Sequence, residues 1–165
     1  MRRFRNRRLA TLFVGFLLAL PLAACEEAGE PGVTVSQAWA RATPAGAPAG
    51  AVYLTLQAGG QADALVGVAS PQAGRATLHA VAMDGDIMRM RKVDDVALPA
   101  GQVVRLAPGG VHIMLMRLAS PLREGDTLSL QLRFATAPDM AIHVPILGLG
   151  ASGFDAPGSG GSGAN

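Results

Sequence analysis

Short apolar–polar alternations, each cut off by Gly or Pro, constrain this chain more than any other feature of its sequence. Period-two alternation turns one face of an extended strand toward a core and the other toward water. The pattern occurs in VTVSQAWAR (33–41), AVYLTLQA (51–58), ALVGVAS (64–70), RATLHAVAM (75–83) and DIMRMRKV (86–93). It returns in QVVRLA (102–107), VHIMLMRL (111–118), DTLSLQLRF (126–134) and MAIHVPI (140–146). Gly59-Gly60, Pro71, Asp84-Gly85 and Pro108-Gly109-Gly110 separate these runs, and all are turn signals. No segment carries a convincing amphipathic helical period. About nine short strands, with 21 Gly, 11 Pro and 4% aromatic residues, predict an all-β Greek-key sandwich or barrel.

The first residues stand outside that pattern. MRRFRNRR is a basic stretch, LATLFVGFLLALPLAA an apolar one, and small residues precede Cys25. The apolar run is shorter than the roughly 20 residues that span a bilayer, so it reads as a secretory signal peptide. Leu22-Ala23-Ala24-Cys25 resembles a bacterial lipobox, which implies cleavage before Cys25 and a lipid on its sulfur. Glu26 follows it rather than Asp, which resembles outer-membrane sorting, and Arg2-Arg3 resembles a twin-arginine export signal. The expected organisation is a leader over 1–24, a tether over 25–32, a β-domain over 33–147 and a flexible Gly/Ser-rich tail over 148–165. That places the domain facing the periplasm, with its lipid anchor as the sole membrane attachment.

Removing the leader reverses the charge. Five of the 14 basic residues leave with it and none of the 12 acidic ones do, so the mature chain is acidic and nucleic-acid binding loses its compositional support. Cys25 is the only cysteine. A disulfide framework, a zinc ribbon and a blue-copper centre all need thiols in the domain, and none is there.

Histidine and methionine then stand out. Met83, Met88, Met90, Met114 and Met116 all lie close in sequence to His79 or His112. A two-residue turn at Asp84-Gly85 pairs Met83 with Asp86, Val81 with Met88, and His79 with Met90. Side chains so paired have Cβ atoms about 4.5–5.5 Å apart. In VHIMLM, period two sends His112, Met114 and Met116 to one face. Two His–Met pairs brought together form a site of two nitrogens and two sulfurs. Thioethers are soft and neutral and select Cu(I), and imidazole binds copper at neutral pH. The competing reading is packing: methionine is a common core filler, and Met83, Met116 and His143 are assigned to it.

The spacing His79, ten residues, Met90, twenty-one residues, His112-x-Met114 resembles the signature of periplasmic copper chaperones of the PCuAC type. AVYLTLQAGGQADALVGVASPQAGRATLH, MRMRKVDDVALPAGQVVRLAPGGVHIMLM and LREGDTLSLQLRF resemble that family too, so the likeness covers about 35–147. It implies a cupredoxin-like fold with His79, Met90, His112 and Met114 holding one Cu(I). It also implies delivery to a copper enzyme, chiefly the dinuclear centre of cytochrome c oxidase, with a Sco-like thioredoxin-fold partner. Some members carry a His/Met-rich C-terminal tail; residues 148–165 hold neither residue, so a single ion is expected. The alternatives are an envelope lipoprotein of structural or interaction role without metal, a periplasmic copper buffer, and a copper-dependent redox enzyme. Ser70, Ser120 and Ser129 form no triad pattern and Gly109-Gly110 is a turn rather than a phosphate loop, so the chain reads as non-enzymatic.

Overall fold

Alternation is strictest in β9 (Thr127–Phe134), where Leu128, Leu130, Leu132 and Phe134 are buried while Thr127, Gln131 and Arg133 are exposed. Sequences of this kind form strands because the branched and aromatic side chains all leave water on one face. The computed structural model describes residues 32–85 and 87–153, without the side chains of residues 83 and 84. The expected leader, the lipidated Cys25, nearly all of the tether and the tail beyond residue 153 lie outside the described residues.

Every described element is a strand: β1 (Val33–Arg41), β2 (Ala49–Ala58), β3 (Asp63–Ala69), β4 (Ala73–Asp84), β5 (Ile87–Val93), β6 (Val96–Leu98), β7 (Val103–Leu106), β8 (His112–Leu118), β9 and β10 (Met140–Leu147). The nine runs read from the sequence each correspond to one of them. β6 is the addition, three residues long and too short to show a period.

The strands follow one hydrogen-bonded path, β5-β4-β8-β2-β1-β10-β9-β3-β6, with β7 beside β2. All named pairings are antiparallel except β1 with β10, which meet only at Ala40–Ile146 and Arg41–Leu147. That short parallel joint links the β4-β8-β2-β1 layer to the β10-β9-β3 layer. Between them lies one core in which Leu54, Leu56, Leu78, Ile113 and Leu115 meet Leu65, Leu128, Leu130, Leu132 and Val144. The result is an all-β sandwich with a mixed sheet, as the turn spacing predicts.

β1 departs from simple alternation. Its pairing with β2 shifts by one residue between Ser36 and Trp39, where Gln37 takes φ +50°. This bulge reverses the strand's parity. Val33 and Val35 face the core before it, and Ala40 does so after it. Trp39 is thereby turned to the opposite face, directly beside its pairing partner Tyr53.

Leu130 is 1% exposed at the centre of the core. Leu130→Ala should lower unfolding free energy by about 2–5 kcal/mol through lost burial and a residual cavity, measured by urea denaturation.

Candidate metal centre

The core-facing residues of β4 and β8 decide what lies on the opposite face. Leu78 pairs with Ile113, and both are buried in the core. Their sequence neighbours therefore project outward, where His79 pairs with His112 and Thr77 with Met114. The two histidines stand directly opposite each other, ring centroids 6.1 Å apart. On the far side of β8, Met114 pairs with Ala51 of β2, whose small side chain leaves it room.

The β4–β5 hairpin does not have the register expected from an Asp84-Gly85 turn. Asp84 still pairs with Ile87, Val81 with Met90, and His79 with Lys92. Asp84-Gly85-Asp86 contains two overlapping turn signals, and Gly85, at φ +64°, opens the turn instead of closing it. Met90 is thus diagonal to His79 rather than opposite it. A displacement of two residues preserves the face, and diagonal neighbours remain within reach of a long side chain.

Beside these residues lies a cavity of roughly 520 Å³ on the outer face. Met90, His112 and Met114 line it, joined by Met88, Tyr53 and Arg41. His79 is not in that lining but packs against His112. His112 is buried, His79 and Met114 are half-buried, and Met90 is 52% exposed.

The ring nitrogens show what each imidazole can offer. His112 Nδ1 lies 3.0 Å from the carbonyl oxygen of Gly110. A carbonyl only accepts, so Nδ1 carries the proton and Nε2 keeps its lone pair. His79 Nε2 lies 3.0 Å from Thr77 Oγ1, and its Nδ1 is buried with no hydrogen-bond partner. When Nε2 donates to the Thr77 hydroxyl, the lone pair is left on Nδ1. An orphaned buried acceptor costs about 1–3 kcal/mol, and a metal ion would satisfy it. Among the described residues no three His, Cys, Asp or Glu come together. The donors on offer here are imidazoles and thioethers, which suit a soft ion.

A family described as "Putative lipoprotein LpqE-like" has a sequence model that matches residues 33–146. The chain belongs to the LpqE-like family. The "Putative lipoprotein Lxx21020" of Leifsonia xyli subsp. xyli (strain CTCB07) is 37% identical to this LpqE-like chain over 117 residues, 70% of the chain and 69% of the relative. Among solved structures, the apo PCuAC domain from PmoF1 has 28% identity and a TM-score of 0.60, covering 71% of this chain and 95% of that domain. The Cu(I) form of DR1885 from Deinococcus radiodurans has 28% identity and a TM-score of 0.51, covering 79% and 81%. The LpqE-like chain is thus of PCuAC type, and its sandwich is the cupredoxin-like fold.

Several residues of the LpqE-like site were not singled out from sequence. Thr77 precedes His79 by two positions and so shares its face, a signal that period two contains. Met88, grouped with the histidines from the sequence but given no role there, bears the same relation to Met90 and lines the same cavity. Trp39 and Arg41 had no such signal, because the β1 bulge decides which way β1 points; Tyr53, on β2, alternates with the core-facing Val52 and Leu54. His143, assigned to a structural role, is exposed on β10 opposite Ser129, on a strand not adjacent to β4 or β8.

Burial lowers the His79 pKa below its usual 6.5, and positive charge from His112, Lys92 and Arg75 lowers it further. The fold therefore favours the neutral ring, the form that binds metal. Because the folded-state value is the lower one, this contribution to stability is complete above pH 6.5 and is lost as pH falls through the folded value. In an NMR titration of the apo protein, His79 should show a midpoint below 6.5. Thermal stability should fall with pH across that window, and less so in His79→Gln.

Proposed function

We propose that this LpqE-like domain is a copper carrier that holds one Cu(I) through His79, Met90, His112 and Met114 and passes it to a copper enzyme. The observation that carries the reading is the facing pair His79–His112. One ring has a buried, unpartnered Nδ1. The other has a lone pair freed by the Gly110 carbonyl, and thioethers flank both. Likeness to domains named for PCuAC, and to a structure named for Cu(I), supports copper over other soft ions. Packing alone would not require two imidazoles to meet on the face away from the core.

The donors are all neutral, so they neutralise none of the ion's charge and favour the lower oxidation state. Carriage needs no covalent step, and the domain is not an enzyme. His79, His112 and Met114 sit on adjacent central strands, while Met90 sits on an edge strand whose residues are almost all exposed. Met90 is therefore the donor that an incoming ligand of the acceptor displaces first. The acceptor implied by the family resemblance is the dinuclear copper centre of cytochrome c oxidase, with a Sco-like partner. A lipid on Cys25, with Glu26 directing the chain to an outer membrane, would hold the carrier at the periplasmic surface.

Competition titration with a Cu(I)-specific chelator should give one ion per chain. Met90→Leu and Met114→Leu should weaken binding sharply and Met116→Leu much less; equal affinity in all four proteins would sink the assignment. Thr77→Val should weaken Cu(I) binding by about 10–100-fold, as loss of a partner that orients a ligand does. Thr77→Ser should restore most of the affinity in the same titration.

A further inference from the structure

The cavity lined by three of the four donors also holds a cation that copper binding does not use. Arg41, the last residue of β1, lines it together with Met90, His112 and Met114. Its guanidinium carbon lies 5.6 Å from the ring centroid of Trp39 and 5.7 Å from that of Tyr53. Those two rings are 4.5 Å apart, and the Tyr53 ring is 6.3 Å from His112. Arg41 Nη2 donates to the carbonyl oxygen of Ala151 at 2.7 Å, while Nε is buried without a partner. Among the described residues no carboxylate pairs with it; the ion pair found there joins Lys92 to Asp94.

Arginine keeps its charge at any pH the protein meets. Here the faces of two aromatic rings offset part of its desolvation, and among the described residues no anion pairs with it. A fixed positive charge beside a metal repels the ion in proportion to the ion's own charge, and water screens it poorly in a partly buried pocket. Cu(II) is therefore disfavoured more than Cu(I).

We propose that Arg41 sets the oxidation-state preference of the site, using a guanidinium held on Trp39 and Tyr53, with no carboxylate partner among the described residues, to exclude Cu(II). The proposal rests on the copper-carrier reading and adds to it a residue that touches no metal. Neutral thioethers make the site soft; Arg41 makes it electropositive as well.

The test measures Cu(I) and Cu(II) dissociation constants, and the midpoint potential, for the wild-type protein and three variants. Arg41→Gln should shift the Cu(I)-to-Cu(II) affinity ratio toward Cu(II) by about tenfold, a fall of about 59 mV for one electron. Arg41→Leu, which still covers the two rings, should give the same shift, and either neutral variant suffices if the other fails to fold. Arg41→Lys keeps the charge and should leave the ratio close to wild type. An unchanged ratio in the neutral variants overturns the proposal, as does an equal shift in Arg41→Lys. Wild-type protein that binds no Cu(I) fails the carrier reading itself, which the Cu(I) titration reveals before any variant is compared.

Discussion

The pairing of β4 with β8 holds the rest of the site in place. Leu78 and Ile113 occupy the core on one side of that pair, and His79 and His112 face each other on the other side. A slip of one residue would turn a leucine or isoleucine to water and an imidazole into the core. The histidines are aligned by hydrophobic burial one residue away, without any attraction between the rings. Each ring is then oriented by a hydrogen bond close by, His79 with the Thr77 hydroxyl and His112 donating to the Gly110 carbonyl.

The two sides of the cavity differ in kind. β8 and β4 lie inside the strand path, each paired on both sides, whereas β5 ends it. Arg89, Arg91 and Lys92 along β5 give that edge the charge that commonly discourages edge-to-edge aggregation. The preorganised imidazoles and the peripheral thioether of Met90 divide the work. Strong orientation belongs to the part that must retain an ion, and exposure belongs to the part that must release it.

Much of this was legible in the sequence because period two is a local property. Strand positions, the outward row His112-Met114-Met116 and the shared face of His79 and Met90 all follow from counting residues. What could not be read depends on choices between near-equal local options or on distant partners. Gly85 can open or close a two-residue turn with similar ease, which moved Met90 from opposite His79 to diagonal. β6 has three residues and no period to detect. The facing of His79 and His112 needs β4 and β8 to be neighbours, and 32 residues of intervening chain, β5 to β7 among them, give no local sign of it.

The bulge at Gln37 gives the length of β1 a meaning that its composition does not. One extra residue separates Val35, which faces the core, from Trp39 and Arg41, which face the cavity. Pairing β1 with β2 at the same length but without the bulge would remove no donor and change no charge. It would nonetheless rotate the end of β1 by half a pleat, pressing an arginine into the leucine core and carrying Ala40 out to the cavity wall. The reading frame of the strand is itself a component of the site. Related chains can be compared for it by counting residues across this segment, whatever residues they carry there.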